Sequence, residues 1–271
     1  MLESRPETWI SRWRLTPDGA AFSTPHTGSH LIPVLRDGAP AMLKVTAEEE
    51  ELRGANLMVW YAGAGAARVL AREGPALLLE RLTGKGDLAQ MARMGQDDEA
   101  SAIICAVVAR LHAPRSRPPP ESLVPITVWF RQLEPAAARY GGILKKSAAA
   151  ARELLASPQE IVALHGDVHH GNILDGGDRG WLAIDPKGVL GERGFDYANL
   201  FRNPDAMVAT VHGRLQRQVR VVAEAGKLDP RRLLTWILAY AGLGAAWTMD
   251  SGGEDAAGLA IATAAAAELG V

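Results

Sequence analysis

Three polar residues near the middle of the chain stand at a spacing that can carry chemistry. His165, Asp167 and Asn172 lie in one short segment that also contains Gly166 and Gly171. The glycines permit the tight backbone that lets a carboxylate and an amide oxygen point into one cleft. The spacing matches the loop H-x-D-x-x-x-x-N, in which the Asp faces an acceptor hydroxyl and the Asn holds Mg²⁺. The segment therefore predicts phosphoryl transfer to a hydroxyl, with Asp167 as the catalytic carboxylate and Asn172 as a metal ligand.

Two further charged residues fit the same chemistry. Asp185 follows the apolar run 182–184, and an acid at the end of a strand can chelate the metal that bridges the phosphates. Lys44 stands alone among apolar residues, so its ammonium group needs an anion. In a kinase, the α- and β-phosphates of the nucleotide and a helix glutamate supply that negative charge. Glu51 is the predicted glutamate because apolar residues continue its helical face, and Glu48 is the alternative.

The histidines of the segment allow a different interpretation, a zinc site. His165 and His169 are four residues apart, which is a zinc-binding spacing when both lie on a helix. The two glycines of the segment disfavour a helix there. We therefore expect His165 to support the catalytic loop, while the roles of His169 and His170 stay open.

The elements that position these residues begin with a β-rich pattern. Asp37-Gly38 lies between the apolar segments 31–35 and 41–45, which predicts a hairpin. A helix is predicted over 47–61, and its acidic first turn suits the positive end of the helix dipole. The apolar run 76–82 predicts a buried strand.

Helical patterns dominate the remainder of the chain. Apolar residues from Ile103 to Leu111 recur at helical spacing, and Asp229 followed by Pro230 indicates the start of another helix. A short hairpin is predicted within 173–184. The predicted fold class is α+β and bilobal, with a small β-rich lobe over 1–82, a hinge near 78–84 and a larger, mainly helical lobe over 83–271.

Composition narrows the classes of partner. The chain has 271 residues and a net charge of −2, which gives no reason to expect nucleic acid or an anionic membrane surface. A single cysteine, Cys105, cannot form an internal disulfide. The N-terminal residues lack the apolar run of a signal peptide, and the longest apolar stretch, 237–249, is too short to span a bilayer. A cytoplasmic monomer is expected.

The order of these motifs resembles the aminoglycoside phosphotransferase superfamily, which has the protein-kinase-like fold. Within it, the chain is most similar to the streptomycin 6-kinases, also called aminoglycoside/hydroxyurea resistance kinases. The resemblance covers most of the chain in the family's order, and it is carried by the segments 51–55, 59–60, 77–82, LHGDVHHGN at 164–172, GWLAIDP at 180–186, GFDYAN at 194–199, 229–234 and 245–247.

The resemblance implies a nucleotide site between the lobes. ATP or GTP would be the donor, Mg²⁺ the metal, and the base would bind the hinge backbone at Glu80, Arg81 and Leu82. Gly28 and Ser29 would lie near the phosphates, although Gly28 is the single glycine of the loop 23–30. The resemblance also implies that Asp196 braces the catalytic loop by accepting backbone N–H bonds.

The acceptor predicted from the resemblance is a cationic aminocyclitol, streptomycin, phosphorylated on its 6-hydroxyl to give antibiotic resistance. In this superfamily, acids of the C-terminal helical part hold such substrates, and guanidinium groups pair bidentately with carboxylates. An exposed polar turn is the other interpretation of these acids. The candidates are Asp250, Glu254, Asp255 and Glu192.

Three other functional classes are alternatives. A metabolic kinase for choline or a sugar is the alternative function. A protein kinase is disfavoured, because ten residues between Asp185 and Asp196 leave little room for an activation loop. A nucleotide-binding scaffold without activity is disfavoured because the charged residues of the site are all present.

Overall fold

The computed structural model describes residues 5–24 and 28–271. One antiparallel sheet forms the core of the N-terminal lobe, in the order β1-β3-β4-β6-β5 with β2 paired to β3. Its strands are β1 Thr16–Pro17, β2 Phe22–Ser23, β3 His30–Arg36, β4 Ala39–Val45, β5 Val69–Glu73 and β6 Ala76–Glu80.

The predicted hairpin is the centre of this sheet. β3 and β4 pair from His30 opposite Val45 to Arg36 opposite Ala39. Asp37 and Gly38 both have positive φ, at 51° and 78°, which is the geometry of the tight hairpin turn that Asp-Gly favours.

Alternation along β4 places Lys44 on the face opposite to Leu43 and Val45. Those apolar residues pack into a small core with Trp9 of helix α1 (Pro6–Arg12), a helix that the sequence did not predict. The opposite face of the sheet packs against helix α2 (Glu49–Tyr61), which begins with three glutamates. Lys44 therefore lies between the sheet and α2, on the side that faces the other lobe.

Helices make up most of the C-terminal lobe, so the prediction of an α+β fold with a small β-rich lobe and a larger helical lobe is confirmed. The boundary at residue 82 stays a prediction. The helices are α3 Leu88–Arg93, α4 Asp97–His112, α5 Ile126–Phe130, α6 Leu133–Tyr140, α7 Ile143–Ala156, α8 Phe195–Ala198, α9 Ala206–Ala209, α10 Arg214–Gly226, α11 Pro230–Asp250 and α12 Ala256–Leu269.

Helix α11 is the centre of this lobe and packs between α7 and α12. Asp229 caps it by accepting a 2.7 Å bond from the N–H of Arg232, and Pro230 is its first residue, as the sequence predicted. Across residues 5–24 and 28–271, the structure contains no helix whose length and apolar character would let it span a bilayer.

Two small sheets of the C-terminal lobe carry the polar segment. Strands β7 (Val124–Pro125), β8 (Ile161–Leu164) and β11 (Val189–Glu192) form one sheet in the order β7-β11-β8. The other is the predicted hairpin, β9 (Ile173–Asp175) with β10 (Trp181–Ala183). β8 ends at the catalytic loop, and the β9–β10 hairpin joins the loop to the segment that contains Asp185.

Candidate active site

Asp196 holds the start of the catalytic loop in place through hydrogen bonds to its backbone, as the resemblance implied. Asp196 is 1% exposed, and its carboxylate accepts bonds from the N–H groups of His165, at 2.9 Å, and Gly166, at 2.8 Å. His112 of α4 contacts the same carboxylate through Nε2 at 2.7 Å. Because three donors hold one buried acid, the start of the loop has a fixed position relative to α4 and α8.

His165 connects the catalytic loop to the segment that precedes Asp185. Its Nε2 lies 2.8 Å from the carbonyl oxygen of Ile184, which can only accept, so Nε2 carries the proton. Its Nδ1 then accepts the N–H of Asp167 at 3.2 Å. Both ring nitrogens are thus engaged, and neither is free for zinc. Burial lowers the pKa of His165, which favours this neutral form.

Asp167 lies at the open side of the loop with its carboxylate held from two directions. Asn172 Nδ2 donates to Oδ2 at 3.1 Å and to the carbonyl oxygen of Asp167 at 2.9 Å. Asn199 Nδ2 donates to Oδ1 at 2.9 Å, and Asn203 holds Asn199 in turn with bonds of 2.9 and 3.0 Å. The side chain of Asp167 is 29% exposed. Because the carboxylate is both fixed and accessible, it can orient an acceptor hydroxyl.

Asn199 was assigned no role from the sequence. It stands three residues after Asp196, at the point where α8 continues into a short 3₁₀ turn. Residues three apart on a helical turn share a face, so the helix that braces the loop through Asp196 also presents Asn199 to Asp167. The three-residue interval from Asp196 was therefore the feature of the sequence that could have identified Asn199.

The predicted metal ligands, Asn172 and Asp185, are brought together by the hairpin between them. Ile184 N–H donates to the Asn172 carbonyl at 2.9 Å, which places the next residue, Asp185, beside Asn172. Asp185 has φ 59°, an uncommon value that turns its side chain out of the strand direction. A carboxylate and an amide are the oxygen donors that suit Mg²⁺. The donor set therefore fits a magnesium ion that is also bound by phosphates.

Four charged side chains form one network beside these ligands. Lys44 is paired with both Glu51 and Asp185, so Glu51 occupies the position predicted for the helix glutamate, whereas Glu48 is exposed. Lys187 is the fourth member, with Nζ 3.1 Å from Glu51 Oε1 and 3.2 Å from Asp185 Oδ2. No role was predicted for Lys187 from the sequence, although it follows Asp185 by two residues.

The network sets the protonation of its members. Burial alone would raise the pKa of Asp185, but the ammonium groups of Lys44 and Lys187 outweigh burial and lower that pKa well below its usual range. Burial would likewise lower the pKa of Lys187, and the carboxylates of Asp185 and Glu51 outweigh it and raise that pKa. Asp185 and Lys187 are therefore both charged at neutral pH.

Two cavities open beside Asp167, with volumes of about 670 and 690 Å³. Asp167, Tyr240 and Trp247 border both of them. The first extends toward α2, where its lining includes Glu49, Glu50, Trp129 and Lys187. The second extends toward the end of α11, where its lining includes His169, Asn199, Arg202, Ser251 and Gly253.

Glu192, one of the predicted substrate acids, lies elsewhere. It is 4% exposed and accepts bonds from Arg232, from Trp236 Nε1 at 2.8 Å and from the N–H of Gln159 at 2.9 Å. Its carboxylate joins β11 to α11 in the interior and borders neither cavity beside Asp167. This corrects the expectation that Glu192 forms part of the substrate wall.

The other three predicted substrate acids lie around the turn after α11. Asp255 caps α12 through the N–H of Gly258 at 2.8 Å and is paired with Arg202. Asp250 accepts a 3.2 Å bond from the hydroxyl of Tyr140. Glu254 is exposed in the turn. Asp255 is thus already committed to structural partners, and substrate contacts of Asp250 and Glu254 stay predictions.

Two backbone N–H groups and one carboxylate of the predicted hinge are engaged within the protein. The N–H of Glu80 donates to Arg68 at 2.9 Å, and the N–H of Arg81 donates to Pro40 at 3.3 Å. The carboxylate of Glu80 holds Arg68 N–H and Arg179. A base bound here would therefore use the remaining backbone groups up to Leu82.

The predicted nucleotide loop, 23–30, is described only in part, because residues 25–27 lie outside the described residues. Gly28 has φ 62°, and its N–H donates to the Thr24 carbonyl at 3.0 Å. Ser29 is 1% exposed, and its hydroxyl donates to Thr46 at 3.0 Å. The hydroxyl of Ser29 is directed into the lobe, and its N–H donates to Thr24 Oγ1 at 3.1 Å. Phosphate contacts of Gly28 and Ser29 therefore stay predictions.

Comparison with known proteins agrees with the geometry of the site. Residues 12–252 match the model of a family described as aminoglycoside/hydroxyurea antibiotic resistance kinase. The chain belongs to this family. The resemblance seen in the sequence is therefore confirmed, and the chain is a kinase of the aminoglycoside phosphotransferase type.

Two relatives and one solved structure are similar to this chain. Streptomycin 3''-kinase of Klebsiella pneumoniae is 51% identical over 248 residues, 90% of this chain and 92% of that protein. Streptomycin 6-kinase of Streptomyces griseus is 32% identical over 257 residues, 90% of this chain and 81% of that protein. The aminoglycoside phosphotransferase APH(3'')-Id of Streptomyces rimosus, solved with ADP and streptomycin, has the same fold, with a TM-score of 0.55 and 18% identity over 87% of this chain and 94% of that chain.

Proposed function

We propose that this chain transfers the γ-phosphoryl group of ATP to a hydroxyl of streptomycin and thereby confers resistance. The observation that carries the proposal is Asp167, a carboxylate fixed by Asn172 and Asn199 that borders both cavities. Family membership and the 51% identical streptomycin 3''-kinase support the acceptor. We expect a cytoplasmic monomer, with GTP as the alternative donor to ATP.

The residues of the site divide the reaction between them. Asp167 accepts a hydrogen bond from the acceptor hydroxyl, orients its oxygen toward the γ-phosphorus and takes the proton late. The new bond joins that oxygen to phosphorus, while the bond from phosphorus to the β–γ bridging oxygen breaks and its electrons leave with ADP. Lys44, oriented by Glu51, binds the α- and β-phosphates. Asn172 and Asp185 would hold Mg²⁺, which supplies positive charge to the phosphate oxygens when bound.

The acceptor is held in the cavities on either side of Asp167. The guanidinium groups of streptomycin need carboxylates. The first cavity offers Glu50 and also Glu49, which is already paired with Arg53 at 3.1 Å. Burial, followed by the negative charge of Glu51, raises the pKa of Glu50, whereas nearby Lys187 lowers it. A guanidinium group beside Glu50 would relieve this burial cost, so we propose Glu50 as a substrate acid in addition to Asp250 and Glu254 near the second cavity.

The proposal also has to name which hydroxyl of streptomycin receives the phosphate, the 6- or the 3''-hydroxyl. The sequence led to the 6-hydroxyl, through the resemblance to streptomycin 6-kinases. Identity to the 3''-kinase, at 51%, exceeds identity to the Streptomyces griseus 6-kinase, at 32%. We therefore favour the 3''-hydroxyl. Phosphorus–proton correlation spectra of the purified product assign the phosphorylated carbon and decide between the two.

A choline-type acceptor is the second candidate, and one observation favours it. Trp129, Tyr240 and Trp247 border the cavities, and aromatic faces bind quaternary ammonium groups. ATP consumption by the purified protein, measured with streptomycin, hydroxyurea, choline and sugars in parallel, tests both candidates. Turnover with streptomycin supports the first. Efficient turnover of choline or a sugar without turnover of streptomycin would contradict streptomycin as the acceptor. The proposed kinase activity would still stand.

A further inference from the structure

Lys187 has a backbone position that is fixed from two sides. Its N–H donates to the carbonyl oxygen of His165 at 2.6 Å, which ties it to the catalytic loop. On the other side, Gly54 of α2 lies directly against the carbonyl of Pro186, and a Cβ at position 54 would overlap that oxygen. Lys187 is therefore held between α2 and the catalytic loop by close backbone contacts, and its long side chain starts from a defined place.

The ammonium group of Lys187 is aimed at the site rather than at solvent. The side chain is 12% exposed. An ammonium group has three N–H donors, and contacts of 3.1 Å to Glu51 and 3.2 Å to Asp185 account for two of them. Lys187 also borders the 670 Å³ cavity that Asp167 borders. Glu50, at the border of the same cavity, is a longer contact of Lys187 at 3.9 Å. The third donor is therefore directed toward the cavity beside Asp167.

Charge balance suggests what this donor is for. Lys44 and Lys187 together offset the charges of Glu51 and Asp185. If Asp185 turned to a metal ion, Lys187 would lose one carboxylate partner and keep Glu51 and the more distant Glu50. The phosphate oxygens that arrive with the nucleotide are the anions that could replace it. Lys44 is already assigned to the α- and β-phosphates, so the remaining position is nearer the acceptor.

We propose that Lys187 is a further catalytic residue, whose ammonium group contacts an oxygen of the γ-phosphoryl group as it passes to the acceptor held by Asp167. This rests on the proposed kinase function. Lys187 forms no covalent bond and gives up no proton in this role. It stabilises the negative charge of the transferring group in a site partly shielded from water, where such contacts are strong.

The chain offers a selective chemical test of this charge. Cys105 is its one cysteine and is fully buried, and burial raises the pKa of its thiol to about 12. In Lys187→Cys, therefore, the introduced thiol alone reacts readily with 2-bromoethylamine, which rebuilds an ammonium group at nearly the lysine's length. Iodoacetamide converts the same thiol into a neutral group of similar size. Lys145→Cys, on the exposed face of α7, is the matched control.

We expect Lys187→Cys to lower kcat about 100-fold or more, as loss of one charge-stabilising donor does. The Kd of Mg·ATP should change by less than about threefold, because the contact matters mainly in the transition state. Aminoethylation should restore kcat to within about tenfold of wild type, whereas the neutral adduct should not. Lys145→Cys should keep wild-type kcat through both treatments.

Two results would overturn the proposal. One is a kcat of Lys187→Cys within about threefold of wild type. The other is recovery of kcat by the neutral adduct as fully as by aminoethylation, which is what a side chain whose charge is not needed would give. Lys187→Met, which keeps the side-chain volume, is measured in the same way should the thiol variant fail to fold. ATP hydrolysis without acceptor is followed in parallel, so that a wrong acceptor and a wrong role for Lys187 give different results.

Discussion

Asn199 donates a hydrogen bond to Asp167 Oδ1 at 2.9 Å and so links α8 to the proposed catalytic carboxylate. Asp196, on the same helical turn, binds the backbone of the loop that contains Asp167. One short helix therefore fixes the position of the loop and also that of the Asp167 side chain. The relation makes Asn199 a positioning residue whose effect should be seen in turnover.

Asn199→Ala should lower kcat for streptomycin about 10- to 100-fold, because a hydrogen bond to a charged group is worth about 1.5–3 kcal/mol. The Kd of Mg·ATP, measured by calorimetry, should stay the same. Asn56→Ala is the matched control, since Asn56 makes a single side-chain bond to Ser122 at 3.0 Å, and it should leave kcat unchanged. Equal kcat in Asn199→Ala and wild type would remove the positioning role.

Asp185→Ala should abolish activity and weaken Mg·ATP binding together, because a metal ligand joins protein to phosphates. Calorimetric titrations with ATP, with and without Mg²⁺, separate the two contributions. ATP binding without Mg²⁺ should change far less than Mg·ATP binding. An unchanged affinity for Mg·ATP in the variant would exclude Asp185 from the metal site.

Glu50→Gln should raise the KM for streptomycin by about tenfold and leave kcat nearly constant, if Glu50 holds the ground state and transition state equally. Added salt should reduce the difference, because Glu50 is 40% exposed and screening weakens such a contact. Asp250→Asn, measured alongside, compares the second cavity with the first. A variant of Glu50 with the KM of wild type would place the guanidinium sites elsewhere.

Glu192→Gln should affect stability rather than catalysis. Burial would raise the pKa of Glu192, but hydrogen bonds from Arg232, Trp236 and the N–H of Gln159 outweigh it and lower the pKa below its ordinary value. A lowered carboxylate pKa gives stability that is present above the unfolded-state pKa and is lost as pH falls through the folded-state pKa.

Wild type should therefore lose more unfolding free energy than Glu192→Gln between about pH 6 and pH 3. Near neutral pH the variant should be about 1–3 kcal/mol less stable, the cost of weakening a buried polar group. Urea denaturation at several pH values measures both effects. If the free energy of unfolding of the two proteins had the same pH dependence, the structural role would be contradicted. A changed KM for streptomycin would indicate that Glu192 contacts the substrate after all.

Much of the site could be predicted because its residues are fixed by local spacing. The interval from His165 to Asn172 predicts two groups in one loop, and the hairpin that follows accounts for Asp185 beside Asn172. Lys44 was predicted from its isolation in an apolar strand. Each of these patterns lies within a few neighbouring residues, so each can be recognised from the sequence alone.

The parts that escaped prediction depend on contacts between distant segments. Lys187 and Glu51 meet because α2 packs on the segment after Asp185, which no local pattern indicates. Glu192 was assigned to the substrate wall from its charge alone, whereas the partner that buries it, Arg232, lies forty residues away in the sequence. The sheet β7-β11-β8 was missed because strands of 2 to 4 residues have too few positions to show alternation.

The most direct test is the transfer of labelled γ-phosphate from ATP to streptomycin by wild type and by Asp167→Asn in the same assay. We expect phosphorylated streptomycin from wild type and a turnover about 10²–10⁴ lower from the variant, since a positioned general base contributes that much. The affinity of the variant for Mg·ATP should remain that of wild type. Wild-type turnover in Asp167→Asn would contradict the central role of this carboxylate, and no transfer to streptomycin by either protein would contradict the proposed acceptor.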